Sequence, residues 1–328
     1  MASRARGRNA PTGPSPFAVA GAALAEAKFT DPFVTARGEP RASVAPGALD
    51  TLWLNTGTLC NLACASCYIE SSPTNDALVY LSHEAARPFL DEAQQLDVRE
   101  IGFTGGEPFM NPDFLPLLGD ALERGFEALV LSNAMRPMQR HAEPLLALRT
   151  RFGDRLTLRI SLDHHTRHVH EAERGKRSWD VAMEGLRWLS RHGFALAVAG
   201  RLLPRETMAE ARAGYAALFA REGIAVDAYD PARLVLFPEM DETRDVAEIT
   251  TACWSILDKS PSDIMCATSR MVVHRKGEPV PRVAACTLIP HDPGFDMGGT
   301  LTEALRPVML NHPHCARFCV LGGASCSA

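Results

Sequence analysis

The sequence predicts an α/β fold in which six strand-and-helix units build a parallel sheet of barrel type, followed by a small cysteine-rich domain. Apolar runs of strand length alternate with amphipathic stretches of helix length. The 328 residues, 46% of them hydrophobic, are enough for one barrel-sized core and a smaller domain. Of the nine cysteines, Cys253, Cys266, Cys286, Cys315, Cys319 and Cys326 come after the last repeat unit.

In chain order, residues 1 to about 48 are rich in Ala, Pro, Gly and Arg with little periodicity. They read as a partly disordered arm that becomes ordered near Phe33. The predicted strands are Thr51 to Thr56, Glu100 to Thr104, Ala128 to Ser132, Leu156 to Leu162, Ala195 to Gly200 and Leu234 to Phe237. Predicted helices lie near 82–96, 112–124, 140–150, 178–192 and 206–222. Regular alternation implies right-handed crossovers and a parallel sheet. The barrel is expected over 49–241 and the cysteine-rich domain over 242–328.

Composition narrows the function. No apolar stretch approaches the ~20 residues that cross a bilayer, and the basic start with its broken apolar run at Phe17 to Ala25 does not read as a signal peptide. A net charge of -5 gives no general attraction for phosphate backbones, so a nucleic-acid partner is not expected. Nine cysteines without an export signal read as metal ligands in a reducing, cytoplasmic setting.

The most informative segment follows the first strand: Thr58-Leu-Cys-Asn-Leu-Ala-Cys-Ala-Ser-Cys-Tyr68. Cys60, Cys64 and Cys67 can hold three irons of a four-iron cluster and leave the fourth without a protein ligand. A structural zinc site is the alternative, although such sites favour paired Cys-x2-Cys knuckles. The second strand ends in Ile101-Gly-Phe-Thr-Gly-Gly-Glu-Pro108. Asn133 ends the third strand, Ser161 and Asp163 the fourth, and Arg201 follows the fifth. All of these fall at strand carboxyl ends, the rim on which parallel barrels build active sites.

The Cys-x3-Cys-x2-Cys spacing with Tyr68 after it, together with Gly-Gly-Glu-Pro some forty residues on, resembles the signature of the radical S-adenosylmethionine (SAM) enzymes. The resemblance implies a partial (β/α)6 barrel of TIM type. It also implies a 4Fe-4S cluster on Cys60, Cys64 and Cys67, with SAM chelating the open iron. Reductive cleavage of SAM then yields a 5'-deoxyadenosyl radical that takes a hydrogen atom from the substrate. Tyr68 is expected beside the adenine, with backbone carbonyls of Gly105 and Gly106 and the Glu107 carboxylate at the SAM ammonium. Asn133, Ser161 and Asp163 are expected near the ribose or methionine portion, and Arg201 at the SAM carboxylate. Where the family often has Gly after that Asp, His164 and His165 follow; with His168 and His170 they read as a solvated loop.

Cys266 and Cys286 flank a predicted hairpin from Ser269 through Gly277 to Val283. This resembles the entry to the SPASM and Twitch auxiliary-cluster domains. Cys266, Cys286, Cys319 and Cys326 are the expected ligands of one auxiliary 4Fe-4S cluster, with Cys315 a close competitor, Cys253 a ligand or a buried apolar residue, and zinc the alternative metal. The resemblance further implies a flavodoxin- or ferredoxin-type electron donor and a peptide or natural-product precursor as substrate. A small-molecule metabolite, and a noncatalytic metal-binding barrel, are the competing readings.

Overall fold

The structure, a computed structural model, describes residues 10–323. Six strands follow the predicted order: β2 (Thr51–Asn55), β3 (Glu100–Thr104), β4 (Glu127–Ser132), β5 (Leu156–Ser161), β6 (Ala195–Arg201) and β7 (Leu234–Phe237). Ahead of them lies a short strand, β1 (Ser43–Val44); after them come β8 (Ser269–Val273), β9 (Arg282–Ala284), β10 (Asp296–Gly298) and β11 (Val308–Met309). Nine of these strands form one sheet in the order β10-β9-β8-β2-β3-β4-β5-β6-β7. Pairing from β8 through β7 is parallel, and β9 and β10 are antiparallel additions. β2 and β8 are buried along their whole length, as expected of parallel strands covered on both faces.

The crossovers are the helices α1 (His83–Gln95), α2 (Phe114–Glu123), α3 (Arg136–Gln139), α4 (Ala142–Phe152), α5 (Arg167–Arg174), α6 (Ser178–Arg191) and α7 (Met208–Glu222). Local chemistry sets several of their starts. The Ser82 hydroxyl accepts the Ala85 N–H to cap α1, and Thr207 with Glu210 forms a reciprocal capping box on α7. α5 lies in a stretch that carried no predicted element, and it proves central to the site.

Two expectations need correction. Packing begins well before Phe33: Phe17 is buried beneath the Arg201 guanidinium, 4.3 Å from ring centroid to Cζ, while Phe33 itself is exposed. The Ser15 hydroxyl donates to Glu173 at 2.6 Å. Isolated anchors of this kind leave no periodic trace in a sequence. In addition, the predicted Cys266–Cys286 hairpin forms as β8 and β9, but β8 pairs with β2, so residues beyond 241 continue the barrel sheet rather than starting one of their own. β1 and β11 make a separate antiparallel pair that ties the N-terminal segment to the C-terminal region.

Candidate active site and second cysteine centre

The two motifs are joined by their own backbones. Thr56 N–H donates to the Thr104 carbonyl at 2.8 Å, Gly106 N–H to Gly57 at 2.7 Å and Glu107 N–H to Leu59 at 3.1 Å. The segment entering Cys60 is thereby zipped to the Gly-Gly-Glu turn. Gly105 has φ +138°, and a Cβ on Gly106 would lie 2.1 Å from the Leu59 carbonyl oxygen, so neither position accepts a side chain. The far side of the cysteine loop is clipped to α5. Ala65 N–H donates to the Glu173 carbonyl at 2.8 Å, and Ser66 donates from its N–H (2.9 Å) and its hydroxyl (2.8 Å) to the Glu173 carboxylate.

A cavity of about 130 Å³ at this rim is lined by Cys60, Cys64 and Cys67 together with Tyr68, Gly105, Gly106, Asn133 and Ser161. Eight of the predicted site residues therefore share one space. Asn133 also donates from its side-chain amide to Asn61 Oδ1 at 2.9 Å, which ties the end of β4 to the cysteine loop. Burial pushes all three thiols above their ordinary pKa; for Cys60 the Glu107 charge adds to burial and the value reaches about 12. Three desolvated sulfur donors around a glycine-lined space suit a cationic metal centre, because a metal is what stabilises thiolates there. The donor set fits the open-iron cluster that the sequence implies.

Glu107, Asp163 and Arg201 do not line this cavity. The Glu107 carboxylate is buried and accepts from the Ser132 hydroxyl and the Asn133 N–H, each at 2.9 Å, and from the Phe109 N–H at 3.4 Å. Burial raises its pKa to about 7 against the pull of those donors. Arg201 is already engaged, donating to Ser66 at 2.5 Å and to Glu239 at 3.0 Å, with Glu173 at 3.4 Å. The guanidinium that does line the cavity is Arg174, which sequence reasoning missed. Asp163 holds it through paired contacts from Nε and Nη2, the latter at 3.1 Å. Burial opposes the Asp163 charge, yet Arg174 brings its pKa below the ordinary carboxylate value. The signal available was a basic residue followed by Gly175, a helix-stop pattern.

The histidines after Asp163 are not a solvated loop. His164 and His170 are buried, and only His168 is exposed. His164 Nε2 lies 3.3 Å from Glu206, and its Nδ1 accepts the Thr166 N–H at 3.0 Å. That acceptor role places the imidazole proton on Nε2, facing the carboxylate, and disfavours metal ligation there.

In the C-terminal region Cys266, Cys286, Cys315 and Cys319 line one small apolar pocket. Cys315 and Cys319 stand one turn apart on the π-helix Cys315–Val320. Burial raises Cys266 to about 11 and Cys315 to about 12. His314 also lines this pocket and is buried, with its Nε2 3.7 Å from the Glu242 carboxylate. Cys326 lies outside the described residues. Cys253 is elsewhere, its sulfur 3.5 Å from the Thr250 hydroxyl. No disulfide occurs among the described residues.

Comparison with known proteins bears on this arrangement. Residues 54–213, which contain the cysteine loop, the Gly-Gly-Glu turn and Arg174, match the Radical SAM superfamily. The chain carries a radical SAM domain. Such a domain takes a 4Fe-4S cluster and SAM as its cofactors. The chain is 30% identical over 151 residues to the mycofactocin maturase MftC of Mycobacterium tuberculosis (strain CDC 1551 / Oshkosh), covering 46% of this chain and 37% of that protein. The subtilosin biosynthesis protein AlbA of Bacillus subtilis (strain 168) is 33% identical over 141 residues, or 43% of this chain and 30% of AlbA. The chain thus spans well under half the length of these curated relatives. Among solved structures, Streptococcus suis SuiB bound to S-adenosylmethionine superposes with a TM-score of 0.56 at 14% identity, over 76% of this chain and 63% of SuiB. That likeness shows a shared fold, mixed α/β with a mostly parallel sheet. No helix among the described residues is long and apolar enough to cross a membrane.

Proposed function

We propose that the chain is a radical SAM enzyme that modifies a peptide or natural-product precursor. The observation that carries the reading is the meeting of Cys60, Cys64 and Cys67 with the Gly105–Gly106 turn around one cavity inside the matched domain. The peptide substrate is supported by the two relatives above, one a maturase and the other a bacteriocin biosynthesis protein. The chemistry that cluster and SAM supply when bound is hydrogen-atom abstraction.

The chain's own residues would divide the work as follows. Cys60, Cys64 and Cys67 hold three irons, and the bare turn at Gly105 and Gly106 leaves room for the amino end of SAM. Tyr68 borders the adenine, while Asn133 and Ser161 border the ribose or methionine portion. Arg174 takes the SAM carboxylate with its guanidinium fork, oriented by Asp163. Arg201 is instead a positioning residue, since it braces Ser66 and Glu173 behind the loop. Cys266, Cys286, Cys315 and Cys319 would hold an auxiliary cluster; four protein thiolates leave no open iron, which suits electron transfer better than substrate ligation. An electron donor of flavodoxin or ferredoxin type and a cytoplasmic location complete the reading, the latter from cysteine usage.

The test replaces Cys60, Cys64 and Cys67 by Ala and assays the protein anaerobically with a strong reductant. Loss of 5'-deoxyadenosine formation is expected. Formation at the wild-type rate would refute the assignment.

A further inference from the structure

Beside the cysteine cavity, and sharing Leu62 and Arg174 with it, lies a much larger cleft of about 810 Å³. Its size falls within the ~300–1,000 Å³ typical of ligand sites. Arg136, Arg140, Lys176 and Arg177 line it together with Arg174, and no carboxylate does. Among the described residues the first four have no ion-pair partner within 4 Å; the nearby Asp180 is engaged by Arg167. Such a concentration of one sign runs against the chain's net charge of -5. Phe109, Met135 and Pro137 add apolar surface to the same cleft.

A backbone feature points the same way. Arg177 sits between α5 and α6 at φ +67°, ψ +8°, a left-handed conformation that costs a non-glycine residue free energy. It makes no side-chain capping bond to α6. A glycine would be relaxed here, yet the position carries a cation that lines the cleft.

We propose that this cleft binds an acidic segment of the peptide substrate, with Arg136, Arg140, Lys176 and Arg177 recognising its carboxylates and the apolar surface taking a neighbouring side chain. The proposal deepens the peptide-modifying reading and rests on it. Like-signed groups in a concave site focus the field and favour an anionic ligand. A segment held there lies next to the cysteine cavity, where abstraction would occur.

Binding can be read without turnover. A fluorescein-labelled octapeptide of glutamate, and its glutamine counterpart, are titrated by anisotropy at low salt against the anaerobically reconstituted chain. The glutamate peptide should bind at least tenfold tighter. Arg136→Glu with Arg140→Glu should weaken it about tenfold or more, whereas Arg87→Glu with Arg191→Glu, an equal charge change outside the cleft, should stay within about twofold. Arg177→Gly should weaken binding while keeping or raising the melting temperature. Equal binding of the two peptides, or equal losses in the two double variants, would overturn the proposal. So would unchanged peptide binding in Arg136→Glu with Arg140→Glu alongside lost reduction by an acidic flavodoxin, which would make the surface a dock for an electron carrier. Peptide-free 5'-deoxyadenosine formation in the same preparations tests the enzyme reading separately; its absence with glutamate binding intact counts against that reading and leaves only the cleft's preference for an acidic peptide standing.

Discussion

Glu107 illustrates how one residue can serve a motif and a fold together. Its carboxylate takes three donors from the end of β4 and its own turn, and two of them are backbone N–H groups that require an acceptor. In Glu107→Gln the amide NH2 meets a donor instead, which leaves buried groups unsatisfied at a cost of about 1–3 kcal/mol. A lowered denaturant midpoint is therefore expected. If the carboxylate also meets the SAM ammonium, calorimetry will show SAM affinity falling by roughly tenfold or more with iron content unchanged. Lost stability with unaltered SAM affinity would make Glu107 a turn-forming residue alone.

At the scale of elements, the cysteine loop is shaped by its neighbours more than by itself. The Gly-Gly-Glu turn presses on one side and α5 holds the other through Glu173. Gly106→Ala would set a methyl 2.1 Å from the Leu59 oxygen, and the main chain leading to Cys60 would have to move. A loss of about 1–3 kcal/mol is expected, together with fewer irons per chain after reconstitution. Gly119 makes the opposite case within α2, where an added Cβ meets nothing within 4 Å. Gly119→Ala should raise stability by about 0.5–1 kcal/mol with iron content unchanged. Equal effects at the two positions would contradict the close-approach argument.

At the scale of the molecule, one sheet carries both cysteine regions, because β8 adds to β2 while Cys266 precedes β8 and Cys286 follows β9. The Cys60, Cys64 and Cys67 triple variant should thus keep about four irons on its C-terminal cysteines; a colourless, zinc-loaded variant would remove the auxiliary cluster. The same extension depends on charge. Asp296 in β10 accepts from Arg275 and Arg282 at 2.8 Å. Burial opposes its charge, but the Arg282 contact, the Gly298 N–H and Arg275 bring its pKa down to about 2. A depressed carboxylate stabilises the fold above its unfolded pKa of about 3.9, and that contribution is lost as pH falls through about 2. Asp296→Asn should cost about 1 kcal/mol near pH 6, after discounting for partial exposure, and almost nothing near pH 2. Urea midpoints at the two pH values provide the check; equal midpoints near pH 6 would mean that these pairs contribute nothing.

Much of this was legible in the chain alone. All six strands and five helices stand within a few residues of their predicted bounds, because apolar periodicity and capping chemistry are local. The cysteine spacing and the paired glycines were equally readable, since each states a chemical need within a few residues. What required the tertiary structure was the choice among equivalent side chains. Arg201 ends β6 and Arg174 ends α5, and only the packing of α5 shows that Arg174 lines the cavity while Arg201 is buried against Phe17 and Glu239. Cys315 was one of several C-terminal cysteines until the chain brought it into one pocket with Cys266, Cys286 and Cys319. The basic cleft joins residues from α3, the α5–α6 turn and the cysteine loop. Spacing along the chain encodes which groups act together only when they are neighbours in sequence; across crossovers, the sheet and its helices decide.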